Sequence, residues 1–351
     1  MQQLNNQNIS DVPTLEINTS VGFNAWLDDQ NCSIAFTTYQ AGKIFFVGLQ
    51  PDGRLSIFER TFDRSMGLWI ENSTLYLSSL YQIWSFHNAL QPGEFFDGYD
   101  CLFVPQSSYV TGDLDIHDMV VDKSNQLVFA NTLFNCLATV SDSHSFTPLW
   151  KPSFILDLAA EDRCHLNGIA LREGEVRYVT MVGQSNKAKG WRDLRQSGGC
   201  VVDILNNQVI ASGLSMPHSP RWYQNRLWLL NSGTGEFGYI DRKKGTFEPI
   251  VFCPGYLRGC AFYNHYVVIG LSQSRNQTFS GLLLDEKLHQ ANIEAMCGLI
   301  VIDLKKGEIV QCLRIDGVVK ELYDVSVIPG IKRPMAIGLK SDEIKKLITI
   351  G

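Results

Sequence analysis

His117-Asp-Met-Val-Val121, a polar turn, then Leu127-Val-Phe-Ala-Asn131: these residues read as two short strands joined by a tight loop. The same grammar returns five times. Met66-Gly-Leu-Trp-Ile70 leads to Leu75-Tyr-Leu77, and Asn167-Gly-Ile-Ala-Leu171 leads to Val176-Arg-Tyr-Val179. His218-Ser-Pro-Arg-Trp222 leads to Leu227-Trp-Leu-Leu230, and Arg258-Gly-Cys-Ala-Phe262 leads to Val267-Val-Ile269. The last pair is Tyr323-Asp-Val-Ser-Val327 with Met335-Ala-Ile337. The starts fall at 66, 117, 167, 218, 258 and 323, an average step of about 51 residues. A unit of that length holds four short strands, which is one blade of a β-propeller.

The last unit runs out of chain before it has four strands. Ser33-Ile-Ala-Phe-Thr-Thr38, Lys43-Ile-Phe-Phe-Val47 and Leu55-Ser-Ile-Phe-Glu-Arg60 form an unpaired N-terminal set. Joining them to the Tyr323 unit closes the ring and removes exposed strand edges. The expected fold is all-β: one six-bladed propeller over residues 1–351, with 1–30 as an N-terminal extension and 340–351 as a C-terminal tail. Seven blades are the alternative, if the N-terminal strands form a unit of their own. Helical periodicity is confined to 23–29, 283–289 and 342–347, the last with Ser341 as N-cap.

Composition narrows the function classes. The 351 residues are 45% hydrophobic and 19% charged, with 30 basic against 36 acidic side chains and a net charge of −6. That balance argues against a nucleic-acid partner. No apolar run is long enough to span a bilayer, so no membrane partner is expected. The start, MQQLNNQNISDVP, has neither the charged nor the apolar region of a signal peptide. Nine scattered Cys without a CxxC pair fit reduced thiols and a cytoplasmic location.

In a propeller the first strand of each blade lines the central channel, and its side chains alternate in direction. Met66, His117, Asn167, His218, Arg258 and Tyr323 therefore form one ring near one mouth. Arg64, Asp115, His165, Met216, Tyr256 and Glu321, two positions upstream, form a second. Such polarity is unusual for a core row and marks a candidate site. His117, His165 and His218 come from consecutive blades, and three converging imidazoles suit a divalent transition metal: Fe, Zn, Cu or Mn. Asp115, Glu321 and Tyr323 are the candidate acid–base groups. Arg64, Arg258 and Asn167 are candidate substrate anchors, alongside Arg192, Arg275 and Trp191 from two long loops, 183–198 and 272–297. Both loops follow the second strand of a blade and are expected over the same mouth, with Trp191 and Phe279 excluding water. Asp118 and Asp324 point away from the site and are expected to hydrogen-bond between blades. Cys164, beside His165, faces the other way as an inert thiol.

The expected function is a metal-dependent enzyme acting on a small or peptide-borne anionic substrate: an oxidoreductase, a lyase or a hydrolase. The alternative is a non-catalytic propeller that binds a protein partner.

Several runs carry a resemblance. Residues 35–48 (AFTTYQAGKIFFVG), 111–119 (TGDLDIHDM), 161–171 (EDRCHLNGIAL), 214–222 (LSMPHSPRW), 253–262 (CPGYLRGCAF) and 321–330 (ELYDVSVIPG) are among them. With these the chain resembles, from about Phe23 to Glu343, an uncharacterised bacterial family whose members are sometimes labelled TPR-domain proteins. No activity follows from that resemblance. More distantly the chain is similar to sugar-lactone hydrolases of the regucalcin and gluconolactonase type, six-bladed propellers with a divalent metal at the channel mouth. That likeness implies places for Glu321 and Asn167 near a metal, although His stands here where that family uses oxygen ligands.

Overall fold

Six antiparallel sheets, each with four radial strands, are arranged as a propeller in the computed structural model, which describes residues 15–273 and 281–350. Blade 1 is built from both ends of the chain. Val325–Pro329 is its inner strand, followed outward by Cys32–Thr38, Lys43–Leu49 and Leu55–Thr61. The inner strands of blades 2 to 6 are Leu68–Glu71, Ile116–Val121, Leu166–Arg172, Pro217–Tyr223 and Tyr256–Tyr263. Each inner strand packs on the next, and that of blade 1 closes the circle between blades 6 and 2. The ring has six blades, not seven.

The strands are short because each has to fit a wedge. Cys32–Thr38 is buried along its whole length, since both of its faces meet neighbouring blades. Apolar side chains fill the interfaces, as where Phe36 stacks on Phe45 at 5.0 Å between blades 1 and 6. A repeated polar staple completes the joints. A hydroxyl at the end of the second strand of one blade donates to the carbonyl that opens the inner strand of the next. Thr37 bonds Met66 O (2.5 Å), Ser78 Ile116 O (3.4 Å), Thr132 Leu166 O (2.5 Å), Ser232 Leu257 O (2.8 Å) and Ser272 Leu322 O (3.1 Å). Val182 holds that place in blade 4.

Three local expectations need correction. Met335 does not lie on the second strand of the Tyr323 blade. Cys32–Thr38 occupies that place, and Pro334–Ala336 instead pairs in parallel with Cys101–Val110, the outer strand of blade 2. Within 1–30, Leu15–Thr19 adds a fifth strand to the outer edge of blade 6, and the helix Phe23–Gln30 buries Phe23, Trp26 and Leu27 against blades 1 and 6. The C-terminal helix is a single turn, Glu343–Lys346, with no side-chain cap bond from Asp342. Glu343 anchors it to Arg60 at 3.1 Å.

Candidate active site at the polar mouth

The chain enters several inner strands through a left-handed kink. Arg64, Asp115, His165 and Met216, at equivalent places before blades 2 to 5, have φ of 54°, 53°, 53° and 49°. For side chains bearing a Cβ that conformation costs on the order of 1–2 kcal/mol each. Strand alternation therefore does not extend back to these residues. The kink turns their side chains instead, and it still delivers much of the upstream ring to the mouth. Asp115, His165, Met216, Tyr256 and Glu321 line one cavity of about 460 Å³ together with Met66, His117, Arg258 and Tyr323. Trp191, Arg192 and Arg195 from the 183–198 loop and Leu282 from the 272–297 loop line it too, so both loops reach this mouth. The loops meet where Gln196 donates to Gly281 O at 3.0 Å. Arg275 and Phe279 lie outside the described residues.

The imidazoles share one hydrogen-bonding pattern. His117 Nδ1 lies 2.8 Å from Asp115 O and 2.9 Å from the Thr132 hydroxyl, whose own hydrogen goes to Leu166 O. Both neighbours accept, so Nδ1 carries the proton and Nε2 keeps its lone pair. His218 repeats the arrangement with Met216 O (2.8 Å) and Ser232 (3.3 Å), whose hydroxyl donates to Leu257 O. At His165 the Nδ1 partner is a carboxylate, with both Asp162 oxygens at 3.1 Å. Trp191 Nε1 donates to Asp162 at 2.7 Å, and the indole stacks on the His165 ring with centroids 4.2 Å apart. His117 and His165 meet edge to face at 4.6 Å.

Burial sets the protonation states. It pushes His117 down to about 3, against the opposing pull of Asp115, and drives His218 well below the usual imidazole range. It lifts Tyr256 to about 12 and Tyr323 well above the usual phenol range. Burial alone would raise Asp115 as well, but His117, His165, Arg64 and Arg258 outweigh it and hold the carboxyl below its ordinary value.

Several candidates are already engaged. Arg64 grips Asp113 with two bonds of 2.7 and 2.8 Å and reaches Asp115 at 2.9 Å, so its guanidinium is consumed within the wall. Asn167 does not line the cavity. Its Oδ1 accepts from Thr180 at 2.8 Å inside blade 4. His218 also stands off the cavity surface, with its ring 5.8 Å from that of Tyr256. Among the described residues, no group of three or more His, Cys, Asp or Glu side chains is arranged to hold a metal ion. Arg258 lines the cavity. Its guanidinium lies over Tyr323 (4.7 Å) and Tyr256 (5.4 Å), interacts with both phenols and with the charge of Asp115, and makes no ion pair among the described residues.

Two site residues escaped the sequence reading. Asp162 precedes His165 by three positions and reaches back to it through a turn with φ of 45° at Asp162. A carboxylate so close in sequence to a candidate His was the available signal. Tyr39, stacked on Tyr323 at 6.0 Å, follows the second strand of blade 1 and had no local signal. Cys164 is buried, and burial raises its thiol far above the reactive range.

Residues 21–337 match the model of a domain of unknown function, DUF4915. No curated protein matches in sequence, and no named homologue supports the likeness to TPR or regucalcin-type proteins. Among solved structures, a chain of a nidogen–laminin complex is similar at TM-score 0.53 and 12% identity, over 85% of this chain and 99% of that one. A Bacteroides caccae protein of unknown function scores 0.48 at 9% identity, covering 85% and 98%. Virginiamycin B lyase from Staphylococcus aureus scores 0.42 at 13%, covering 68% and 73%. At such identities the first match speaks to the fold alone, and the other two carry no argument.

Proposed function

The chain belongs to the DUF4915 family, and from its site geometry we propose that it is an enzyme acting on a small anionic substrate. In this proposal Arg258 holds the anion and His165, oriented by Asp162, moves the proton. The observation that carries the proposal is the meeting of these two elements in one cavity: a carboxylate-bound imidazole, and a guanidinium that makes no ion pair among the described residues.

Asp162 fixes the His165 tautomer and stabilises the imidazolium that proton uptake creates. Trp191 holds both partners in place by its stack and its indole bond. Tyr323, kept protonated by burial, is a hydrogen-bond donor for charge developing on the substrate. Asp115, held ionised, serves as the anchor of Arg64 and His117 and not as a proton donor. Glu321, buried in the cavity wall, is the remaining carboxyl near the substrate. The step that these groups favour is proton transfer next to an anionic group, which eliminations and hydrolyses share.

A second reading keeps a divalent transition metal at His117, His165 and His218. It is favoured by the common pattern in which Nδ1 is held by a carbonyl or carboxylate and Nε2 is left unprotonated, the tautomer a metal-ligating imidazole needs. His218 would have to approach the other two rings for this to operate.

A panel of small carboxylates and phosphate monoesters, screened by thermal shift and followed for turnover by NMR, tests the proposal. A hit should be lost in Arg258→Met. His165→Gln and Asp162→Asn should still bind that compound but convert it poorly. A hit that is insensitive to Arg258→Met would overturn the anion site, and full turnover in His165→Gln would overturn the proton-transfer role. Metal analysis of tag-free protein separates the second reading.

A further inference from the structure

Behind the cavity wall the inner strands converge on a second charged cluster. One residue after each member of the Met66–Tyr323 ring the chain carries Gly67, Asp118, Gly168, Ser219, Gly259 and Asp324. The two aspartates use their side chains in the same way. Asp118 accepts from its neighbour Met119 N–H and from Ile169 N–H of blade 4, both at 2.9 Å. Asp324 accepts from Val325 N–H and from Leu68 N–H of blade 2, again at 2.9 Å. Each aspartate thus ties its own strand to the first strand of the next blade.

Arg221 reaches this cluster from blade 5. Its Nη1 and Nη2 lie 2.8 and 3.2 Å from the Asp118 oxygens, Nη2 is 3.9 Å from Asp324, and Nη1 also donates to Ile169 O at 3.0 Å. Blade 6 completes the convergence. Gly259 has φ of 73°, and a Cβ there would stand 2.7 Å from Asp324 Cα, so only glycine fits. All six blades meet at this point.

The adjacency in sequence matters. His117 directly precedes Asp118, and Tyr323 directly precedes Asp324. A side chain that locks the peptide plane of the second residue also sets the direction in which the first one leaves the backbone. The His117 and Tyr323 rings touch edge to face at 5.3 Å across the cavity wall.

We propose that Arg221 is a positioning residue for the candidate site: by clasping Asp118 and Asp324 it fixes the mutual orientation of His117 and Tyr323 from behind the wall. This rests on the wall geometry and not on the reaction proposed above, so it stands or falls without a substrate.

The test uses the full-length protein and the side-chain nitrogens of His117 in a long-range ¹H–¹⁵N NMR correlation, with the melting temperature recorded in parallel. Arg221→Met is expected to lower the melting temperature and to move the His117 nitrogens from the Nδ1–H pattern toward an averaged position. Arg177→Met breaks another guanidinium–carboxylate pair, with buried Asp203 at 2.8 Å, and should lower stability without touching the His117 signals. The deciding variant is Arg221→Lys, which keeps the positive charge but loses the fork that clasps both aspartates. Its melting temperature should fall less than that of Arg221→Met, while its His117 pattern is averaged as well. A wild-type His117 pattern in Arg221→Lys would show that Arg221 only neutralises charge and would overturn the proposal. If Arg221→Met fails to fold, Arg221→Lys decides by the same His117 signals.

Discussion

The two mouths of the channel are made by the same six inner strands and are chemically opposite. The lower mouth is a mainly apolar cavity of about 260 Å³ whose walls include Trp69, Ile70, Leu171, Trp222, Phe262 and Val327, with Arg221 its one charged lining residue. The upper mouth carries His117, His165, Arg258, Tyr323, Asp115 and Glu321. The lower mouth shows that wedge packing is satisfied by aromatic and aliphatic side chains. Nothing in the fold therefore requires the polar lining of the upper mouth, where His117, His165 and Glu321 are buried and Arg258 stands over two tyrosines. Burying polar and charged groups costs free energy, and such groups concentrate where a protein acts. The asymmetry between the mouths is the reason to assign function to one of them.

Removing Arg258 should give the sharpest contrast. Arg258→Met is expected to weaken the binding of an anionic hit about 100-fold or more, the scale of a lost charge-assisted contact, while the melting temperature holds or rises. Calorimetric titration and a melting curve measure both. A large loss of stability without loss of binding would reverse the roles assigned to the two mouths.

Phe262→Ala in the lower mouth should do the opposite. It is expected to cost about 2 kcal/mol in denaturant unfolding, somewhat less than for a fully buried Phe, and to leave anion affinity unchanged. Reduced affinity in a folded Phe262→Ala protein would mean that the mouths are not independent.

Between them, the Asp324 carboxyl is pushed up to about 7 from 3.8, by burial first and then by the charge of Asp118. The fold therefore holds this proton more tightly than the unfolded chain does. The stability it contributes is complete below about pH 4 and is lost as pH rises through 7. The denaturation midpoint should fall from about pH 4 to 7 and level off above that, and Asp324→Asn should flatten the slope. An unchanged slope would place the titration elsewhere. The smallest effect is expected away from both mouths, where exposed Leu156→Ser should stay within about 0.5 kcal/mol of wild type by the same unfolding measurement.

The blades were legible because each repeats one local pattern, a polar entry followed by alternating apolar residues. The staple that joins them was equally periodic but less visible, since Thr37, Ser78, Thr132, Ser232 and Ser272 differ in kind and spacing. The loops over the upper mouth followed from strand order alone. Most of the two rings of candidate residues was legible. His117, His165, Arg258, Tyr323, Asp115 and Glu321 share the cavity, whereas Arg64, Asn167 and His218 are turned to other partners.

By itself the sequence favoured six blades over seven, the closure of the ring by residues 32–61, and a gathering of polarity at one end of the channel. These depend on short-range alternation and on repeat spacing, which a linear chain displays. Only the tertiary structure decided that Asp162 would hold His165, that Arg221 would reach Asp118 from 103 positions away, and that Pro334–Ala336 would leave its own blade for the edge of blade 2. Those outcomes turn on left-handed kinks and on competition among partners that meet only when the ring closes, and neither is carried by spacing along the chain.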